Sequence, residues 1–124
     1  MSVLKPKDNR LRLLRFLFVL HKSPCDSNTF KSFLKLALHA HSEGDAVAIH
    51  LLGDAVVLAR KKSNISTIVK DAIESGCEIY VRGEDLAARG ISASDLVDYA
   101  IVPPDFFDQM LTDIMEKSDR VICL

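Results

Sequence analysis

The side chains of this 124-residue sequence that are best suited to chemistry are three cysteines and one arginine. Cys25 lies in a polar turn between an apolar run and an amphipathic segment that starts near Asn28. A thiol beside a helix N-terminus has a lowered pKa and reacts as a thiolate. We therefore predict Cys25 as the reactive thiol and His21 as the base that would accept its proton. The alternative is that Cys25 is a loop residue without chemistry.

The other two cysteines fit structural roles. Cys77 precedes the apolar segment Ile79–Val81, and Cys123 lies inside the last apolar segment. Free cysteine is among the most often buried residue types, so we predict that Cys123 packs in the core. An odd number of cysteines without regular spacing also indicates reduced thiols rather than a disulfide framework.

Arg82 directly follows the apolar segment Ile79–Val81 and precedes Gly83 and two acids, Glu84 and Asp85. A guanidinium beside Gly83 and the amides of a helix N-terminus would suit a phosphate, sulfate or carboxylate. The alternative is an ion pair to the neighbouring acids or to another subunit. Asp54 is interpreted in two ways, as a helix N-cap after Gly53 or as a residue of the same cleft. The predicted ligand-binding residues are thus Arg82, Gly83, Asp54 and Glu84.

Apolar segments alternate with amphipathic ones, and this alternation predicts how these residues are positioned. The pattern indicates parallel strands joined by helical crossovers, which makes a three-layer α/β/α sandwich in a single domain. Ligand sites in such sheets gather at the carboxyl ends of the strands. The five predicted strands are Leu11–Leu20, Ala46–Leu52, Ile79–Val81, a short one within Leu96–Val102, and Arg120–Leu124.

Composition and motifs exclude several classes of function. No glycine-rich dinucleotide motif, P-loop or hydrolase elbow occurs, so we expect no classical cofactor, and no cysteine and histidine spacing suggests a metal. The longest apolar run is interrupted by Arg15 and too short to cross a bilayer, which favours a cytoplasmic protein and no membrane contact. Residues 1–62 carry a net charge of +6 and residues 63–124 carry −7, which favours neutralisation across the fold or between subunits. No recognition motif accompanies the basic residues, so nucleic acid is not expected as a partner.

Several segments taken together resemble the DsrE/DsrF-like family of small sulfur-relay proteins. The segments are the LLGDAVVLAR stretch from Leu51, the GCEIYVRGEDLAARGI stretch from Gly76, YAIVPPDFFDQML and the terminal DRVICL. The resemblance covers residues 11–124, which leaves residues 1–10 as an N-terminal arm.

The resemblance implies a flavodoxin-like fold and an oligomer, usually a trimer or hexamer. It also implies a sulfur-donor protein or a cysteine-bearing paralogue as partner, since some members of the family carry persulfide sulfur on a cysteine just after the third strand. In this sequence Arg82 occupies that position. A sulfur role would then depend on Cys25 or on another chain, and we do not expect a conventional enzyme. The functions left open are an oligomeric sulfur-relay subunit, a non-catalytic assembly protein, and an anion or nucleotide binding module centred on Arg82.

Overall fold

The computed structural model describes residues 14–22, 27–61, 71, 74, 76–98 and 100–123. Four parallel strands form one sheet in the order β3-β2-β1-β4. The strands are β1 (Arg15–Leu20), β2 (Ala46–Leu51), β3 (Glu78–Val81) and β4 (Arg120–Cys123). The helices of the described residues are α1 (Ser27–Ser42), α2 (Gly83–Ala88) and α3 (Phe106–Thr112), and α3 continues into a π turn (Asp113–Lys117). The predicted α/β sandwich is confirmed.

Both faces of the sheet are covered, which explains why the strands are apolar almost throughout. One face carries the larger core, in which Phe18 and Ile49 of the central strands pack with Leu34 and Ala37 of α1 and with Leu86 of α2. On the other face Leu17, Val19 and Ala48 pack against Met110 of α3 and Ile114 of the π turn. Because β1 and β2 are central, they contribute most of the fully buried strand residues.

The short fourth strand predicted within Leu96–Val102 does not form as a strand. Ile101 makes a single parallel bridge to Tyr80, with hydrogen bonds to the backbone of Ile79 and Val81 at 2.8 Å. Leu96 makes a separate antiparallel bridge to Arg60. Pro103 and Pro104 follow directly, and proline lacks the N–H that a growing ladder needs. Among the residues that the structure describes, the sheet therefore has four strands rather than five.

Several sequence predictions fall outside the described residues. They are the N-terminal arm 1–10, the loop that holds Cys25, and most of the amphipathic segment with Ile65, Ile68 and Val69. Within the described part of the chain, none of the helices has the length and apolarity to span a bilayer.

Candidate functional site

The carboxyl ends of β1, β2 and β3 bring most of the predicted site residues to one edge of the sheet. His21 follows β1, Gly53 and Asp54 follow β2, and Arg82 follows β3. Backbone hydrogen bonds keep these strand ends aligned. Leu52 N donates to Leu20 O and Arg82 N donates to Leu51 O, both at 3.0 Å. These carboxyl ends of the strands are a candidate site because strand ends of this kind expose loops and helix N-termini.

Gly53 marks the closest approach between two of these strand ends. Its φ is +59°, and a Cβ at this position would lie 2.9 Å from the carbonyl oxygen of His21. Only glycine adopts this backbone conformation without strain, and only glycine leaves room for the carbonyl. His21 itself is exposed beside this contact. The candidate base is therefore on the predicted side of the sheet, whereas Cys25 lies outside the described residues.

Arg82 is surrounded by groups that already satisfy much of its charge. Its Nη1 lies 3.3 Å from Asp85 Oδ1, and its Nε lies 3.9 Å from Glu84 Oε1. The guanidinium carbon stands 4.8 Å from the centre of the Phe107 ring, within the range of a cation–π contact. Of the two interpretations of Arg82, these contacts correspond to the ion pair with its own helix. Binding of an anion by Arg82 would have to compete with both carboxylates.

Asp85 and Arg89 connect the loops at these strand ends, a connection that the sequence does not predict. Asp85 Oδ2 accepts a hydrogen bond from Gly53 N at 2.7 Å, which ties the end of β2 to the first turn of α2. Arg89 donates to Asp54 Oδ1 at 2.5 Å and to the carbonyl oxygen of Asp85 at 2.9 Å. The N-cap role predicted for Asp54 is wrong: Leu52 is the N-cap of the 3-10 turn Gly53–Ala59, and the Asp54 carboxylate pairs with Arg89 instead. The sequence indicates these contacts only by placing two acids, Asp54 and Asp85, and Arg89 at or near loops.

The two described cysteines differ in exposure. Cys77 is buried at 4% exposure, and burial raises the pKa of its thiol to about 11, so it is a poor nucleophile at neutral pH. Cys123 is exposed, which contradicts its predicted place in the core. The physical reason is that β4 is an edge strand, whose partner is β1 on one side only.

A polar cluster lies beneath α3, on the face of the sheet away from α1. Arg15 of β1 forms paired hydrogen bonds with Glu78 of β3, at 3.1 and 3.2 Å, and with Asp113, at 3.0 and 2.5 Å. Burial opposes ionisation of Asp113, but hydrogen bonds from Arg15 and Ser118 outweigh it, and the pKa of Asp113 lies below its usual value. The hydrogen bond from Arg15 also lowers the pKa of Glu78. The sequence analysis missed this cluster, since Arg15 was read only as an interruption of an apolar strand.

His50 extends the same cluster under α3. It is fully buried, its Nε2 lies 2.6 Å from Gln109 Oε1, and its ring stacks on Tyr80 with centroids 4.7 Å apart. Burial lowers the pKa of His50, so the ring is held neutral. Burial, reinforced by the hydrogen bond to Glu78, raises the pKa of Tyr80 to about 12. The cluster links β1, β2, β3 and α3 through contacts among its own side chains. Its role is therefore to hold these elements together rather than to bind a ligand.

No group of three or more metal-binding side chains occurs among the residues that the structure describes. His39 and His41 lie in the last turn of α1, and His21 and His50 lie at or within strands. What the candidate site offers chemically is therefore a set of fixed ion pairs and an exposed imidazole.

Similar structures share this fold at low sequence identity. The ychN protein from E. coli superposes with a TM-score of 0.76, covering 90% of this chain and 100% of that one at 17% identity. The protein of unknown function MTH1491 from Methanobacterium thermoautotrophicum gives a TM-score of 0.74 over 90% of this chain and 99% of its own, also at 17% identity. These likenesses support the flavodoxin-like sandwich.

Sequence relatives extend the comparison to the family. The uncharacterized protein MJ0989 of Methanocaldococcus jannaschii is 33% identical over 93 residues, which are 70% of this chain and 82% of that protein. The uncharacterized protein MK0008 of Methanopyrus kandleri is 30% identical over 110 residues, 84% of this chain and 88% of its own. Residues 22–107 match the family described as DsrH-like protein. The predicted relationship to the DsrE/DsrF-like sulfur-relay fold is confirmed, and this chain belongs to the DsrH-like family.

Proposed function

We propose that this chain is an oligomeric subunit of a cytoplasmic sulfur-relay assembly. One observation carries the proposal, which is a set of large apolar side chains left exposed on α3, its π turn and β4. The set comprises Phe107, Leu111 and Met115 of α3 and its π turn, together with Val121 of β4, and we call it the α3 surface. Leu111 is 55% exposed and Met115 is 78% exposed.

The geometry of the α3 surface suits contact with another subunit. Phe107, Leu111 and Met115 follow each other at intervals of four residues, so they lie along one side of the helix. Val121 adds an apolar side chain from β4, whose outer edge is unpaired among the described strands. Exposed apolar patches next to an open sheet edge are typical of protein interfaces and are otherwise a hazard for aggregation. A second copy of this chain, or a paralogue, would cover both features, and we expect a trimer or hexamer.

Size measurement in solution tests the assembly. We expect light scattering coupled to gel filtration to give an oligomer for the natural sequence and a monomer for Leu111→Asp combined with Met115→Asp. The matched control is Leu36→Asp, because Leu36 is similarly exposed at 53% but lies on α1, on the opposite face of the sheet. A monomeric natural protein at micromolar concentration would contradict the proposal, as would equal dissociation by the control substitution.

Within this proposal, the residue of this chain that would carry sulfur is Cys25, with His21 as its base. The Cys25 thiolate would attack the outer sulfur of a donor persulfide, forming a persulfide on Cys25 and releasing the donor as a thiol. The support is that His21 stands exposed at the carboxyl edge and that the buried Cys77 is unsuited to this reaction. Intact mass after exposure to a persulfide donor would gain one sulfur atom in the natural sequence and in Cys123→Ser, but not in Cys25→Ser. An unchanged mass in all three proteins would leave the chain a purely structural subunit.

Anion binding centred on Arg82 is the weaker alternative. Glu84, Asp85 and Phe107 already contact the guanidinium, and an incoming anion would have to displace them. If Arg82 were nevertheless the ligand site, Arg82→Gln would abolish stabilisation by inorganic phosphate. We expect no such loss.

A further inference from the structure

A half-open cleft of about 280 Å³ lies where the end of the 3-10 turn Gly53–Ala59, the end of α2 and the turn Ala93–Asp95 meet. The side chains that matter for its chemistry are Arg60, Lys61, Arg89, Ile91, Ser94 and Asp95. Three of the six are cationic and one is anionic. The volume is close to the lower end of the range in which proteins bind small molecules.

The charges of the cleft are not balanced from within. Arg89 is paired with Asp54 and lies 3.7 Å from Asp85. The Asp95 carboxylate accepts hydrogen bonds from the backbone and the hydroxyl of Ser92, at 3.1 and 2.9 Å. Arg60 and Lys61, by contrast, have no ion-pair partner in the part of the chain that the structure describes. Arg60 and Lys61 thus add two positive charges to a cleft whose lining holds one carboxylate, that of Asp95, so positive charge is in excess there.

The backbone that carries these two cations is fixed. Lys61 N donates to Asp95 O and Val97 N donates to Ala59 O, both at 2.8 Å, so the two segments run together as a short antiparallel pair. The apolar side chains next to the pair, among them Leu58 and Leu96, are buried in the larger core. Arg60 and Lys61 themselves are exposed. A rigid base with two long cationic side chains can close on an anion without reorganising the fold.

We propose that this cleft binds a small phosphate ester through Arg60 and Lys61. Arg60 and Lys61 outnumber the one carboxylate of the cleft, that of Asp95, so the cleft favours an anion, and guanidinium and ammonium groups make strong charge-assisted hydrogen bonds to phosphate oxygens. Ser94 offers a hydroxyl at the rim, and Ile91 provides an apolar wall for the organic part of the ligand. The site is separate from the α3 surface and does not depend on the assembly.

Calorimetry with adenosine monophosphate, inorganic phosphate and adenosine as probes tests the site at low ionic strength. We expect adenosine monophosphate and phosphate to bind, adenosine to fail, and added salt to weaken binding, since the attraction is largely between exposed charges. Arg60→Gln combined with Lys61→Gln should weaken binding by at least about tenfold, because the variant loses the charge-assisted hydrogen bonds of both cations to the phosphate.

The matched control is Lys117→Gln combined with Arg120→Gln, which removes the same two charges from exposed positions outside the cleft. Binding should survive in this control and in the assembly variant that combines Leu111→Asp with Met115→Asp. Equal losses in the two double variants would overturn the proposal, because general surface charge would then explain the binding. So would binding of adenosine as tight as that of its monophosphate, or the failure of both phosphate probes at millimolar concentration.

Discussion

At the residue scale, the pairing of Arg15 with Asp113 is the most consequential contact of the fold. Asp113 is almost fully buried and accepts hydrogen bonds from Arg15 and from Ser118. Asp113→Asn weakens two hydrogen bonds of this cluster but leaves Arg15 paired with Glu78, so it should lower the free energy of unfolding by about 2 kcal/mol. Urea titration measures this loss. Asp108→Asn changes an exposed acid of α3 in the same way and should cost at most about 0.5 kcal/mol.

His50 predicts a dependence of stability on pH. Its pKa in the folded protein lies below the ordinary value of 6.5, because burial disfavours the charged ring. As pH falls below 6.5 the unfolded chain takes up a proton that the folded protein refuses, so stability declines until the pH reaches the folded pKa. The groups facing His50 are Tyr80, Gln109 and the charged Arg15, Asp113 and Glu78.

Unfolding in urea at pH 7.5 and 5.5 measures this contribution. We expect the natural sequence to lose on the order of 1 kcal/mol more than His50→Gln between these conditions. His39→Gln, a change of an exposed histidine of α1, should keep the full decline. An identical decline in His50→Gln and the natural sequence would mean that other groups carry the pH dependence.

At the element scale, two glycines with similar backbone conformations test how closely the ends of β1 and β2 are packed. Gly53 and Gly90 both have positive φ, +59° and +68°, but a Cβ would lie 2.9 Å from His21 O at Gly53 and would meet nothing within 4 Å at Gly90. Gly90→Ala should therefore cost only the backbone strain, on the order of 1 kcal/mol. Gly53→Ala should cost that strain plus the displacement of the β1 end, about 3 kcal/mol in all. Thermal or urea unfolding of both variants compares them, and equal costs would show that the joint yields easily.

The elements were predictable where the chain's local pattern determines them. Alternation of apolar and amphipathic segments gave β1, β2, β3, β4 and α1 within a few residues. The failures depend on contacts between distant segments. Cys123 was assigned to the core because a sequence does not reveal that its strand is at the sheet edge, and the pairing of Asp54 with Arg89 joins residues 35 positions apart. Arg82 was placed correctly after β3, but its contact with Phe107 depends on how α3 folds back.

At the scale of the whole molecule, the opposite charges of the two halves meet inside the fold. Arg15 of the basic half pairs with Glu78 and Asp113 of the acidic half, and Asp54 pairs with Arg89 in the reverse sense. These pairs support the interpretation that the two oppositely charged halves neutralise each other within the fold. They leave the α3 surface apolar, so the proposed assembly would be driven mainly by burial of that surface and should depend only weakly on salt.

Cys123 provides a chemical readout of the assembly. Its register with Val19 places it on the face of the sheet that α3 partly covers, two residues along β4 from Val121 of the α3 surface. A subunit that covers that surface should shield the Cys123 thiol. A thiol reagent should therefore label Cys123 severalfold faster in the variant Leu111→Asp combined with Met115→Asp than in the assembled protein.

Both proteins should carry Cys25→Ser, so that only two thiols remain. Cys77 is buried and should stay unlabelled in both until urea unfolds the chain. Dilution of the assembled protein should speed labelling by mass action, whereas equal rates in both proteins at every concentration would mean that the neighbouring subunit does not lie over β4.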